Sequence, residues 1–263
     1  MRNENAAATV VGALRTPRSA LRAAAGFTMI EIAICLAIIG FALVAIIGVL
    51  PYGMNTQRDN REETVINQDA TVLLETIRSG ARGADDLTNY VYAIVNTGDP
   101  LAGYYNPKLA GQMNFIPATT YPSLNWHPTL TSGTNIVGLM STPEFWNGAS
   151  NHITAYVRSI SGLASGMPPQ NNDVMVGDTF SYRVYCVNAP VAYDTNSPLA
   201  GFSQQLNGNL HEVRMTFLWP QLPNGNVGGG RQTFRISVAG QLAQDPTNTF
   251  LYFYQPQSFN RVP

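Results

Sequence analysis

The residues of this chain that are best suited to chemistry lie at Gly26-Phe27-Thr28-Met29-Ile30-Glu31, where a basic segment meets an apolar one. If the chain is cut after Gly26, the Phe27 nitrogen becomes a free amine at the head of the apolar segment. Glu31 follows about one helical turn later. Its carboxylate is poorly placed to pair with the amine of its own chain, but it can reach the amine of a staggered neighbouring copy. We therefore hypothesise a charge pair between subunits at this point.

The apolar run that follows Glu31 is long enough to cross a membrane. It is unbroken over residues 32–50, and about 20 apolar residues suffice for a helix to span the hydrocarbon core. A charged side chain inside such a segment costs about 2.5–3.5 kcal/mol on insertion scales. Because Glu31 carries this cost, it is the residue whose presence most needs a functional reason.

The segment before Gly26 is basic and contains no long apolar block. Residues 1–25 hold four arginines and one acid, Glu4. A secretory signal peptide would place its apolar region before the small residues of the cleavage site, and here the order is reversed. The arginines predict a cytoplasmic N-terminus and a translocated C-terminal part. The alternative interpretation is an uncleaved signal anchor, which leaves the glycine, the phenylalanine and the glutamate as coincidences.

With its Gly26-Phe27-Thr28-Met29-Ile30-Glu31 motif and the apolar run, the chain resembles type IV prepilins and type II secretion pseudopilins over about 30 residues. Met29 stands where that family commonly has leucine. The resemblance implies that a prepilin peptidase cleaves between Gly26 and Phe27 and methylates the new Phe27 amine. It also implies that Glu31 serves filament assembly.

The resemblance further implies a fold, partners and a location. The expected fold class is α+β, with a long N-terminal helix packed on an antiparallel β-sheet head. The expected partners are the peptidase, other pilin or pseudopilin subunits in a helical filament, and an inner-membrane assembly platform. The protein would lie in the bacterial inner membrane as a single pass, with its head in the periplasm or at the cell surface. A tip subunit that recognises a substrate or an adhesion target is an alternative role within this family.

Composition favours a structural, non-enzymatic role. The chain has 263 residues and a net charge of −1, and removing residues 1–26 takes away four of its 15 basic residues. A net charge this close to zero does not indicate a basic surface for binding nucleic acid. His127, His152 and His211 are scattered without metal-ligand spacing, and we find no nucleophile signature and no phosphate loop. The two cysteines, Cys35 and Cys186, are too far apart for an internal disulfide, which suits pseudopilins better than many pilins.

The chain divides into a leader at 1–26, a transmembrane and assembly half-helix at 27–50, an outer half-helix at 51–83 and a β-rich head at 84–263. Pro51 removes one helical hydrogen bond and clashes with the preceding turn, which predicts a kink or local unwinding. The mixed charges at 58–63 predict a helix face that is exposed to solvent. Beyond them, one apolar stripe indicates a helix face that packs on the head; its members are Ile66, Ala70, Leu73, Leu74 and Ile77.

The head shows short β-branched and aromatic runs between turn residues, as antiparallel sheets do. The predicted strands are 90–95, 136–140, 153–160, 179–187, 210–218, 232–238 and 250–254, with a hairpin loop at 220–230. The 97–135 segment has little regular pattern but several aromatic residues, so it is either sheet cover or a partner-binding surface. The 165–173 segment predicts a second loop.

No cofactor and no metal ligands are predicted from the sequence. Calcium is the one ion considered, because Asp194-Thr195-Asn196-Ser197 and Asp245-Pro246-Thr247-Asn248 offer hard oxygen donors. Each of these segments also has the composition of an Asx turn. No clustered set of acids accompanies them, so no ligands are assigned.

Overall fold

The computed structural model describes residues 26–80, 84–98, 102–112, 125–146, 148–161, 180–192, 196 and 200–259. The leader before Gly26, the predicted loop at 165–173 and most of the Asp194 segment lie outside these residues, as do 113–124 within the 97–135 segment. The described chain is α+β, with a long apolar helix near its N-terminus and a mostly antiparallel sheet.

Three α-helices, eleven strands and two short 3-10 helices make up the described chain. The helices are α1 (Met29–Arg78), α2 (Gly133–Met140) and α3 (Ala200–Asn209), and the 3-10 helices span Asp85–Asn89 and Pro107–Gln112. The strands are β1 (Val91–Asn96), β2 (Ala102–Tyr105), β3 (Asn125–His127), β4 (Phe145–Trp146), β5 (Ala149–Ser150), β6 (Ile153–Arg158), β7 (Ser181–Pro190), β8 (Leu210–Gln221), β9 (Val227–Ala239), β10 (Gln241–Gln244) and β11 (Tyr252–Gln255).

Backbone contacts divide the chain into two compact units, one up to Asn55 and one from Thr56 onward. The first unit contains the N-terminal half of α1, which is long and apolar enough to cross a membrane, as a span or as a signal sequence. The helix continues through Pro51 without a break, so the local unwinding considered from the sequence does not occur there. A kink at Pro51 stays a prediction.

The second unit is built on a seven-stranded sheet in the order β3-β2-β1-β6-β7-β8-β9. All its neighbouring strands pair antiparallel except β2 and β3, which are parallel. Residues along β8 are alternately buried and half-buried, as in a strand with one face against the core. The buried face meets the stripe of α1, and all five predicted stripe residues are buried.

Both faces of part of the sheet are covered, and the second cover comes in part from the 97–135 segment, for which sheet cover was one of the two alternatives. A second apolar cluster of Tyr92, Ala93, Val95, Leu109 and Tyr156 lies apart from the main core. Its Leu109 comes from the 3-10 helix Pro107–Gln112. Every residue of β1 except Asn96 is buried for this reason. Part of the 97–135 segment is therefore ordered cover for the sheet.

Two predictions about the head were wrong. Residues 136–140 form the end of α2 and not a strand, because Ser132 caps the helix by accepting a hydrogen bond from the Asn135 N–H at 3.4 Å. Short apolar runs do not distinguish a strand from a buried helix. The 220–230 loop is also shorter than predicted, since β9 already begins at Val227. Gly230 permits this pairing, because a Cβ there would lie 2.4 Å from the Trp219 indole.

Candidate functional site

The Glu31 carboxylate closes a hydrogen-bonded ring with Thr28 at the start of α1. Its Oε2 accepts from the Thr28 backbone N–H at 2.9 Å and from the Thr28 hydroxyl at 2.8 Å. The Thr28 hydroxyl in turn accepts from the Glu31 N–H at 3.3 Å. This reciprocal arrangement is a capping box, which satisfies two backbone donors that would otherwise lack partners at a helix N-terminus. In the uncleaved chain, the acid is thus engaged by its own helix.

The helix that follows the capping box presents its apolar side chains outward. Each large apolar residue from Phe27 to Leu50 is at least 50% exposed in the isolated chain, and Cys35 is an exposed free thiol in the same segment. Such an apolar surface needs lipid or other helices to cover it. Phe27, the predicted position of cleavage and methylation, is 83% exposed and lies just before the helix.

The second unit anchors the outer half of α1 through one buried acid, Asp69. Its side chain lies within the apolar stripe and has no exposed surface. Four hydrogen bonds reach its two oxygens. They come from the Ile160 N–H at 2.9 Å, the Ser161 N–H at 2.7 Å, the Ser161 hydroxyl and the Tyr182 hydroxyl at 2.8 Å. The carboxylate thus joins the helix to the segment that follows β6 and to β7.

Burial raises the pKa of Asp69, and the hydrogen bonds from Ser161, Ile160 and Tyr182 oppose that rise. Burial and the nearby Asp69 carboxylate raise the pKa of Tyr182 as well, which keeps the tyrosine a hydrogen-bond donor. A buried acid with this many donors holds its neighbours in fixed positions, because any displacement leaves donors without an acceptor. We interpret Asp69 as the polar residue that sets how α1 sits on the sheet.

The charged face predicted at 58–63 is solvated. Arg58 Nε lies 2.7 Å from Glu62 Oε1, an i,i+4 pair in which the arginine is largely exposed. Such i,i+4 pairs contribute about 0.3–0.5 kcal/mol on helices, and the Glu62 side chain is itself only 13% exposed. The other residues of 58–63 are exposed and mark a water-facing surface.

A cavity of about 250 Å³ lies between the sheet, the end of α2 and two hairpins. Its lining is neutral and mixes aromatic side chains, including Tyr104, Trp146 and Tyr252, with amides and hydroxyls. The amides already bond within the protein, as when Asn96 Nδ2 donates to Asn151 Oδ1 at 2.8 Å. None of the residues described around this cavity forms an acid, base or nucleophile constellation.

The described residues also contain no cluster of three histidine, cysteine or acidic side chains that could hold a metal ion. Asp245 is engaged in the turn expected for it, because its Oδ1 accepts from the Thr247 N–H at 2.8 Å and from the Asn248 N–H at 3.3 Å. His127 packs against the Tyr104 ring at 5.9 Å. Cys186 is a buried free thiol on β7.

The sequence singled out Gly26, Phe27 and Glu31, and the structure brings them together at the start of one helix. It did not identify Thr28 as the partner of Glu31, although Thr28-x-x-Glu31 before an apolar run is the signature of a capping box. It also missed Asp69. The one available signal was an acid inside a helical apolar stripe, and the identity of its partners depends on residues more than 90 positions away.

Comparison with family models, with curated proteins and with solved structures finds no match to this chain. Function is therefore inferred from the residues themselves and from their geometry.

Proposed function

We propose that this chain is a pseudopilin or minor-pilin subunit of a type IV pilus-like or type II secretion filament. A prepilin peptidase cleaves it between Gly26 and Phe27 and methylates Phe27, and the subunit then assembles through its N-terminal helix. The observation that carries this proposal is the Gly26-Phe27…Glu31 motif at the head of an apolar helix whose side chains are exposed.

The energetics of Glu31 support the proposal. Thr28 offers the carboxylate two hydrogen bonds but no positive charge, so burial in lipid still costs about 2.5–3.5 kcal/mol. Cleavage after Gly26 creates a cationic amine on Phe27. In a staggered filament, the amine of one subunit lies within reach of the Glu31 of the next. Pairing the two charges offsets much of the cost of burying each alone.

The division of α1 into an exposed apolar half and a half that packs on a sheet also suits a filament subunit. The apolar half is covered by the membrane before assembly and by other helices afterwards. The head remains attached through the buried stripe and Asp69. In this proposal the protein starts in the bacterial inner membrane, with its N-terminus in the cytoplasm and its head outside it.

Processing is tested by mass spectrometry of the protein from its native membrane. We expect an N-terminus at Phe27 that carries one methyl group. An intact Met1 would contradict the proposal and would favour a single-pass membrane protein that never assembles. A Gly26→Ala variant should accumulate in the unprocessed form, whereas Gly40→Ala in the middle of the same helix serves as the matched control.

Assembly is tested by comparing Glu31→Gln with Thr28→Ala. Thr28→Ala breaks the capping box, which costs about 0.5–2 kcal/mol of helix stability, and it keeps the negative charge. Glu31→Gln removes the charge, whereas a glutamine at this position can still complete a capping box. If Glu31 pairs with a neighbouring amine, Thr28→Ala enters filaments and Glu31→Gln does not, while both insert into the membrane. The readout is chemical crosslinking of subunits in cells. Equal assembly of the two variants would show that Glu31 acts on its own helix alone.

A further inference from the structure

Strand β9 is the last strand of the seven-stranded sheet, and one of its edges has no strand partner among the described residues. It is 13 residues long, from Val227 to Ala239, and it pairs with β8 on one side. The sheet order places no described strand on its other side. Within the part of the chain that the structure describes, its outward N–H and C=O groups can accept an added strand, the arrangement by which sheets bind extended peptides.

The solvent face beside this edge is basic. Arg231 and Arg235 lie on β9 and are exposed, and neither has an ion pair among the described residues. Arg214 lies directly opposite Arg235 on β8, although like charges placed opposite each other are destabilising. Glu212, the acid on this face, bonds Arg214 at 2.7 Å and also interacts electrostatically with Arg235, so β8 and β9 hold one acid for three arginines. The edge thus keeps a net positive charge that its own strands do not balance.

The inner face of β9 is incompletely covered. Phe234 and Ile236 point toward the core but remain half-buried. On the adjacent β8, the inward residues Met215 and Phe217 have no exposed surface. An additional strand beside β9 would cover Phe234 and Ile236, just as β9 covers the inward residues of β8.

Charge complementarity does not favour a second copy of this chain as that strand, because β9 carries two arginines and no acid. In an antiparallel β9–β9 pair centred on Thr233, Arg231 of each copy would stand opposite Arg235 of the other. Such pairs repel, and charged side chains on an edge strand are a common barrier to self-association. An acidic strand meets no such barrier.

We propose that the β9 edge binds an extended acidic segment of a partner protein as an eighth strand of the sheet. Residues opposite Arg231, Thr233 and Arg235 lie on the solvent face, and residues opposite Gln232, Phe234 and Ile236 lie on the core side. The preferred segment therefore reads acid, apolar, polar, apolar, acid. This binding needs only the head and does not depend on cleavage or filament assembly.

The test measures fluorescence anisotropy of labelled peptides with the full chain in nonionic detergent. One peptide alternates valine with polar residues and carries aspartate at two positions four apart, and its control carries lysine there. Two opposite-charge cross-strand pairs predict that the aspartate peptide binds roughly 2- to 30-fold more tightly. Methylation of the backbone nitrogens on one edge of the aspartate peptide should abolish binding, and methylation on the other edge should not.

Charge reversal identifies the surface. The double variant Arg231→Glu and Arg235→Glu should prefer the lysine peptide, whereas Lys108→Glu, an exposed charge on a 3-10 helix, should leave the preference unchanged. Equal affinity for the two peptides, an absence of binding, or a preference that survives the double reversal would overturn the proposal. So would sedimentation showing that the free protein already pairs through β9, with dimers lost on the double reversal.

Discussion

Removing the Asp69 carboxylate is the most direct perturbation of the head. In Asp69→Ala, the buried Tyr182 hydroxyl loses its acceptor, which costs about 1–3 kcal/mol. Ile160 and Ser161 are half-buried, so water can partly replace the hydrogen bonds that their N–H groups lose. The remaining loss is about 0.5–1.5 kcal/mol for each N–H group. The expected destabilisation is about 2–6 kcal/mol, a large share of the 5–15 kcal/mol that usually stabilises a domain.

The assay is equilibrium urea unfolding of the full chain in nonionic detergent, followed by tryptophan fluorescence. Trp219 is 8% exposed and reports on the core. Asp59→Ala is the matched control, because Asp59 is an exposed acid on the same helix and should change stability by no more than about 0.5 kcal/mol. A loss below about 1 kcal/mol for Asp69→Ala would refute the view that this residue fixes α1 on the sheet.

The pH dependence of Asp69 has a defined sign. Because burial raises its pKa from the ordinary value of 3.8, its contribution to stability is present in full below the unfolded pKa. That contribution falls as pH rises through the folded pKa. The stability advantage of the wild-type chain over Asp69→Asn should therefore shrink as the pH is raised above about 4. If the stability advantage of the wild-type chain instead grows with pH in this range, the four hydrogen bonds lower the pKa of Asp69 by more than burial raises it.

Two further predictions concern packing and a thiol. Gly138→Ala should cost about 1–3 kcal/mol, because the new Cβ would lie 2.8 Å from Leu251 Cβ. The matched Gly208→Ala meets nothing within 4 Å and should gain up to about 1 kcal/mol of helix stability in the same unfolding assay. Burial raises the pKa of Cys186 to about 12, so iodoacetamide should label this thiol only as fast as the head unfolds. Prompt labelling at Cys186 itself, separated from the exposed Cys35 by peptide mass spectrometry, would contradict this.

The sequence determined the features that depend on local pattern. The apolar run after Glu31, the stripe from Ile66 to Ile77 and the alternation along β8 are properties of consecutive residues, and helix and strand periods make them readable. The motif from Gly26 to Glu31 was visible for the same reason. These features were sufficient to predict an α+β chain with a helix able to cross a membrane.

Tertiary structure decided which distant groups meet. Asp69 could be recognised as an acid in an apolar stripe, but three of its four donors come from the segment that follows β6 and the fourth comes from β7. The assignment of 136–140 as helix depended on the Ser132 cap and on packing against β11. The open edge of β9 follows from the order of the strands, which local propensity does not encode. In each case the free energy comes from contacts between segments far apart in the chain, and no window of sequence contains both partners.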